Sequence, residues 1–350
     1  KHNVRLLTSK ASLFSNELII DDWNDGAQKV SRIDMISADK EKALKGAQVV
    51  FITVPALALP QLVGEIYPYV DEGAFIGMIP GSGGTEFYLK RFLNKNCVIF
   101  GFQRVHAISR MKEQGRVVSN QGRKNELFIS CLPHSRSQDV KQLVEDLFNI
   151  PCVVYQNFLN VTFTPSNQIL HTSRIYCLFK DCTPDTEYPA QGYFYKDWDD
   201  TSSKVLINCD KELQEICRAL PFDLSGVKSL LLHYGVSDYK EMTAKLASIK
   251  AFENIKTPMI RTESGNFVPD KENRYFTNDF PFGLCVVRGF ADILKVPTPE
   301  IDKVLKWYEG FAGVKYFEGD RFCGKDLAAT AIPQNFRLKT KESIIDFYNS

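Results

Sequence analysis

Two loops in the first third of the chain have the make-up of a cofactor's path. Val54-Pro55-Ala56 closes the apolar run that begins at Val49, and Pro80-Gly81-Ser82-Gly83-Gly84 closes the run from Ala74 to Ile79. Small residues at such strand ends let a ribose or a nicotinamide lie against the backbone, and in open α/β sheets ligands bind outside the carboxyl ends of the strands. Alone, a GSGG turn is equally well a flexible loop; its pairing with a second strand end favours a site. Thr8-Ser9-Lys10 ends an earlier short strand, where an Asp or Glu takes the adenine ribose 2′-hydroxyl in NAD enzymes. Lys10 could pair with a 2′-phosphate, but an exposed lysine after a strand is more often just solvated, so NAD and NADP both stay open.

Among the five histidines, His171 stands in an apolar stretch and, on composition alone, reads first as a packed core residue. His106 and Arg110 suit a cleft or a structural place, His233-Tyr234 could line a substrate side, and His2 and His134 read as surface. The nine cysteines form no CxxC pair, and Cys131, Cys209 and Cys285 sit in apolar runs as small core residues. A reduced cytoplasmic setting follows, with no metal site expected.

The elements that must position these residues divide into two patterns. The segment Val4–Thr8 is a short strand, and Glu17–Asp22 with Lys29–Ile36 form a strand pair around the turn signal Asn24-Asp25-Gly26. Then come a short helix at Ala38–Leu44, a buried strand from Val49, a crossover helix over 56–70, a strand Ala74–Ile79, a helix Gly84–Leu93 and a strand Cys97–Phe102. Glu126–Cys131, a helix Ser137–Phe148 and Cys152–Tyr155 complete the series. Such βαβα alternation predicts a Rossmann-like, doubly wound parallel sheet. After a boundary near 157–162 the period becomes helical. Leu206, Cys209, Leu213, Ile216, Cys217 and Leu220 share one face of a helix started after Asp200-Thr201, and further helices are expected at 225–234, 238–253, 281–295 and 299–313, the last with Pro299 in its first turn. The expectation is an α/β cofactor domain over residues 1–160 and an all-α substrate domain over 161–350.

At 350 residues, with 44% hydrophobic and 24% charged residues, both domains can bury cores. Lys+Arg (43) and Asp+Glu (42) nearly cancel, which argues against nucleic acid as a partner, and no apolar run reaches the roughly 18 residues of a membrane span. A phosphate-cradling glycine turn would precede Val4 in such a domain, so the native protein is expected to carry about one more strand, turn and helix, roughly 30 residues, ahead of this sequence.

Several stretches taken together resemble the opine dehydrogenases, and the octopine dehydrogenase branch in particular: Val54-Pro55-Ala56-Leu57-Ala58, Ile79-Pro80-Gly81-Ser82-Gly83-Gly84-Thr85-Glu86-Phe87, Asn167-Gln168-Ile169-Leu170-His171, Arg274-Tyr275-Phe276-Thr277-Asn278-Asp279-Phe280-Pro281 and Gly324–Thr330 with Pro333-Gln334. They run in the family's order from end to end. The resemblance implies NAD(P)H-dependent reductive condensation of an amino acid's amine with a 2-oxo acid such as pyruvate. It carries the family's catalytic His to His171, its acidic partner to Asp279 and a carboxylate-binding arginine to Arg274. Imidazole titrates near neutrality, a carboxylate can fix its tautomer, and guanidinium binds carboxylate bidentately, so each role suits its residue type. Gln103-Arg104 stands where the octopine branch keeps a Glu-Thr pair at the amino-acid substrate, which disfavours arginine as the amine; Gln168 and Thr172 replace prolines near the helix entry. The expected partners are these small substrates, with no nucleic acid or membrane, in a monomer or homodimer. A 2-oxo acid reductase of the same plan, or a cofactor-binding protein without catalysis, are the other readings.

Overall fold

The apolar runs Val49–Ile52, Phe75–Met78 and Val98–Phe102 form the centre of a sheet because nothing in them needs solvent on either face. The computed structural model describes residues 2–22 and 26–349, so Asn24 and Asp25 of the expected turn lie outside the described residues. Numbered along the chain, the strands of the first part are β1 (Arg5–Leu7), β2 (Glu17–Asp22), β3 (Ala27–Arg32), β4 (Met35–Ser37), β5 (Val49–Ile52), β6 (Phe75–Met78), β7 (Val98–Phe102), β8 (Ala107–Glu113), β9 (Val117–Arg123), β10 (Leu127–Leu132) and β11 (Cys152–Val154). They build a five-stranded sheet ordered β11-β10-β7-β6-β5, a four-stranded sheet β3-β2-β9-β8, and the pair β1-β4.

Strands β5, β6 and β7 are parallel, whereas β10 runs antiparallel to β7 and carries β11 parallel to itself. The sheet is thus Rossmann-like but mixed. Parallel neighbours need a crossover, usually a helix; between β7 and β10 the chain instead makes the β8–β9 hairpin, which joins the other sheet and returns the chain reversed. Two further expectations are corrected. Lys29–Ile36 is not one strand: it breaks at Ile33-Asp34, where the Asp34 carboxylate accepts from Val4 N–H at 2.8 Å, and the chain resumes as β4. The Val4–Thr8 strand pairs with β4 alone among the described residues.

Phe100, Phe102, Ile129 and Cys131 from the sheet meet Val140 and Val144, four residues apart on the helix Ser137–Phe148, in one buried cluster. Each large side chain so buried contributes roughly 1.5–3 kcal/mol.

Contacts divide the chain into two units, one of residues 1–54, 58–81 and 88–158, the other of 55–57, 82–87 and 159–350. The second is helical, with one addition absent from the sequence reading, the antiparallel pair β12 (Met259–Arg261) and β13 (Phe267–Pro269), whose turn includes Gly265 at φ +91°. Its long helix Asp200–Arg218 buries Leu206, Cys209, Leu213, Ile216 and Cys217 as the periodicity requires. The cap is Asp199 rather than Asp200-Thr201, its carboxylate accepting from Ser202 N–H at 2.8 Å. Glu212 of this helix accepts from the first N–H groups of the helix Pro299–Ala312, at Glu300 (2.7 Å) and Ile301 (2.9 Å), placing an anion at its positive end. The helix expected over 225–234 is only Leu230–Tyr234.

Candidate active site

His171 lies on the helix Asn167–Phe179, whose residues Gln168 to Ile175 are all buried. A helix buried on every face must satisfy its polar side chains internally, and His171 does so through both ring nitrogens. Nδ1 is 2.7 Å from Asp279 Oδ2, and Nε2 is 2.9 Å from the Tyr195 hydroxyl. A carboxylate only accepts, so the proton of the neutral ring sits on Nδ1 and donates to Asp279; Nε2 then accepts from Tyr195 O–H. The ring is walled by aromatics: Tyr275 at 4.1 Å between centroids, Phe194 at 5.5 Å and edge-on, Tyr195 at 6.3 Å. His171 and Asp279 are each 4% exposed. In so dry a setting the pair interacts far more strongly than it would in water.

Asp279 is presented by an irregular segment. The short helix Arg274–Thr277 is capped by Asn273, and a π-helical turn Phe280–Leu284 follows, kinked at Phe282 (φ −106°, ψ 20°) with Pro281 in its first turn. Single π turns of this kind occur frequently at functional sites. The second carboxylate oxygen accepts from Asn278 Nδ2 at 2.9 Å, while Asn278 Oδ1 accepts from Leu57 N–H at 3.2 Å. Leu57 N–H, Asn278, Asp279, His171 and Tyr195 therefore form one chain of hydrogen bonds within the second unit.

Below the dyad, Gly83 N–H donates to Thr162 O, which also accepts from Gln168 Nε2 at 3.1 Å. Gly83 has φ +79°, and a Cβ there would stand 2.1 Å from Phe282 O; a Cβ on Gly283 would stand 2.8 Å from Gln168 Cβ. The glycine turn, the kinked turn and the His171 helix thus pack backbone to backbone. Arg174, one turn beyond His171 and fully buried, donates from Nε to Phe194 O (3.2 Å) and from Nη1 to Ser202 Oγ (2.9 Å), and pairs with Asp199. It holds the Phe194-Tyr195 segment and the cap of the long helix to the histidine's own helix.

Of the residues expected from sequence, His171 and Asp279 meet directly. Arg274 is exposed, 6.0 Å from the centroid of the Tyr275 ring that stacks on His171, and no side chain among the described residues pairs with its guanidinium. Gln103, buried, and Arg104, half-buried, belong to the first unit, at the carboxyl end of β7. Of the other histidines, His106 packs its ring on Phe148, with burial lowering its pKa, and His233 is exposed. Arg110 is exposed on β8. The cysteines of the described residues are all free, and burial pushes Cys131 up to about 12, well outside nucleophilic range at neutral pH.

The cofactor loops can be tested against a dinucleotide by what they leave open. Val54 follows β5 half-buried, Pro55 is exposed and Ala56 buried; after β6, Pro80 is exposed, Gly81 donates to Phe102 O at 2.8 Å and Ser82 is half-buried. Thr8 N–H donates to Ser37 O, its hydroxyl accepts from Lys10 N–H, and Ser9 and Lys10 are exposed, with the Lys10 ammonium unpaired among the described residues. Within the first unit, exposed Ser9, Lys10 and Pro80, with the free Lys10 ammonium, suit a ribose and its phosphate, so these residues fit that part of the group.

Tyr195, Asn278, Tyr275 and Arg174 were missed from sequence. The aromatic run Tyr193-Phe194-Tyr195 with Trp198 was the available signal for the first; Tyr275 and Asn278 stood inside a motif already singled out.

A family profile described as NAD/NADP octopine/nopaline dehydrogenase, alpha-helical domain, matches residues 154–312. The chain is 30% identical over 335 residues to an opine dehydrogenase of Haliotis discus hannai, covering 90% of this chain and 82% of that one. It is 28% identical over 331 residues to a tauropine dehydrogenase of Arabella iricolor, covering 89% and 83%. A solved structure of octopine dehydrogenase with NADH and L-arginine matches with a TM-score of 0.83 at 27% identity, over 98% of this chain and 91% of that one. A ketopantoate reductase at 13% identity and TM-score 0.57 shares the fold alone. With the buried His–Asp pair and this likeness along most of its length, the chain belongs to the opine dehydrogenase family of NAD(P)-dependent oxidoreductases acting on CH–NH groups.

Proposed function

We propose that the protein joins the amine of an amino acid other than arginine to a 2-oxo acid such as pyruvate and reduces the resulting imine, with His171 and Asp279 as the proton-transfer pair. The observation that carries this reading is the 2.7 Å bond between His171 Nδ1 and Asp279 Oδ2, dry and ringed by aromatics. Imidazole so oriented can take a proton from the substrate ammonium, freeing the amine to attack the oxo carbon, and return it to the carbinolamine hydroxyl as water leaves. Asp279 steadies the imidazolium in between. Arg274, an unpaired guanidinium one ring away, would take the oxo acid's carboxylate. The nicotinamide cofactor, NAD or NADP, supplies the hydride when bound, and Thr8, Ser9, Lys10, Val54, Pro55, Ala56, Pro80, Gly81 and Ser82 would hold it.

Residues 1–160 act in this reading as the cofactor domain and 161–350 as the substrate domain, with Gln103 and Arg104 selecting the amine. A neutral Gln beside a cation is a poor host for a second guanidinium, in contrast to the L-arginine bound in the octopine dehydrogenase structure. Nine cysteines without a CxxC pair suit a reducing, cytoplasmic setting; a monomer or homodimer is part of the proposal, and no helix among the described residues is long and apolar enough to cross a membrane.

The test is oxidation of NADH and NADPH with pyruvate, with and without a panel of amino acids. Turnover that needs the amine is expected. Amine-independent turnover points to a 2-oxo acid reductase, and none with any pair to a binding protein. His171→Ala and Asp279→Asn should each lower kcat by roughly 10²–10⁴-fold; activity within about threefold of wild type in both would remove the pair from the mechanism.

A further inference from the structure

The dyad as it stands has no open nitrogen. Nδ1 is bound to Asp279 and Nε2 to the Tyr195 hydroxyl at 2.9 Å, while the ring is 4% exposed and faced by Tyr275 and Phe194. Any proton that His171 exchanges with a ligand must therefore pass through the Tyr195 oxygen, unless Tyr195 moves aside. The surroundings of Tyr195 oppose such movement. Its ring stacks on Phe252 at 4.5 Å and on Trp198 at 6.0 Å, it is 5% exposed, and its neighbour Phe194 is held through its carbonyl by buried Arg174.

We propose that Tyr195 is a catalytic residue, the hydroxyl through which protons enter and leave the His171–Asp279 pair. The inference rests on the dyad reading above and adds a group to it. A phenol suits the place because it donates to neutral Nε2 and accepts from the protonated one without changing position. In the condensing direction, the Tyr195 oxygen takes a proton from the substrate ammonium as its own O–H proton passes to Nε2, leaving a neutral amine, a neutral phenol and an imidazolium. The amine adds to the oxo carbon, and one proton of the resulting ammonium shifts to the alkoxide oxygen to give the neutral carbinolamine. The imidazolium then returns its Nε2 proton to the Tyr195 oxygen as the phenol proton moves to the carbinolamine hydroxyl. The C–O bond breaks, water departs, and the nitrogen lone pair forms the C=N bond of a cationic iminium. Charge balances at each stage, and the phenol is regenerated twice. The nicotinamide cofactor, when bound, would supply the hydride that reduces the iminium, and the relay has no part in that.

Tyr195→Phe keeps the ring and its stacking and deletes only the relay oxygen. The measurement is kcat and KM, with the amino acid and pyruvate that the panel identifies, in H₂O and in D₂O mixtures, beside His171→Ala and the wild type. The expected result is a fall in kcat of about 10²-fold, little change in KM, a melting temperature lowered by only the few degrees that one lost buried hydrogen bond costs, and a bowed proton inventory in the wild type that becomes linear in the variant. A Tyr195→Phe enzyme with at least half the wild-type kcat and the same proton inventory overturns the relay. If His171→Ala is at the same time inactive, the dyad stands and only the relay fails; if His171→Ala is active, the dyad reading itself falls. A measurement independent of turnover is the ¹⁵N shift of His171 Nε2 without substrate. It should show an accepted hydrogen bond that is lost in Tyr195→Phe, and an identical shift in the two proteins also overturns the proposal.

Discussion

Glu86 stands in the first turn of the helix Thr85–Leu89, directly after the glycine loop, and is fully buried. Its Oε1 accepts from Thr162 Oγ1 and from the Tyr348 hydroxyl, both at 2.6 Å, and Oε2 has no hydrogen-bond partner among the described residues. Burial outweighs these two neutral donors and raises its pKa from 4.5 to about 7. An acid whose folded pKa lies above its unfolded value holds a proton in the native state that the unfolded chain has released, so its contribution to stability is fully present below pH 4.5 and is lost as the pH rises through about 7. The span from 4.5 to about 7, at about 1.4 kcal/mol per pH unit, makes that loss about 3 kcal/mol. Glu86→Gln stays neutral throughout and can still accept from both hydroxyls. It carries a fixed offset of its own, because the new amide N–H groups meet no acceptor, so the slope is diagnostic rather than the absolute value. Urea unfolding of both proteins followed by far-UV circular dichroism at pH 5, 6, 7 and 8 should show the variant gaining on the wild type by about 2–3 kcal/mol across that range. Other buried acids, such as Asp210, raised by burial to about 6, act alike in both proteins and cancel in the difference. A difference that stays flat within about 0.5 kcal/mol would refute the assignment of a proton to Glu86 in the native state.

Two further perturbations address the frame around the dyad. Arg174→Met leaves the buried Phe194 carbonyl without its donor, while the half-exposed Asp199 carboxylate keeps water and the Ser202 N–H, and should cost about 1–3 kcal/mol in unfolding free energy; a melting temperature unchanged from wild type would show that the network relaxes without it. Gly83→Ala places a methyl 2.1 Å from Phe282 O at φ +79° and must displace the kinked turn that starts at Asp279. Steady-state assays should find kcat lowered more than KM, and a variant with unchanged kcat and unchanged melting would mean that the turn yields freely.

The strands Val49–Ile52, Phe75–Met78 and Val98–Phe102 were legible because burial on both faces writes a continuous apolar run, and the long helix because its buried face repeats every three to four residues. The strands β8 and β9 were not, since Ser109-Arg110-Met111-Lys112 is exposed and Ser119-Asn120-Gln121, although buried to half-buried, is polar throughout, so neither writes an apolar alternation. Nor could the reversal of β10 be read. An apolar run has no direction, and the direction here follows from a hairpin occupying the place of a crossover helix.

His171 exposes a deeper reason. From its neighbours it reads as core, and it is core: Ile169, Leu170 and Ile175 around it are buried, and so is the ring. Desolvation is what both a packed histidine and a working one require, so the local signal for the two is the same. What separates them is the partner set, and the partners are distant, Asp279 by 108 residues and Tyr195 by 24 across a loop held down by Arg174. A backbone carbonyl on one nitrogen and a backbone N–H on the other would also satisfy the ring. A carboxylate on one nitrogen and a phenol on the other does more, because each can change its share of a proton without leaving its place. That arrangement is tertiary, assembled by a kinked turn and an aromatic stack, and it becomes visible in the sequence only through the order in which the contributing segments recur.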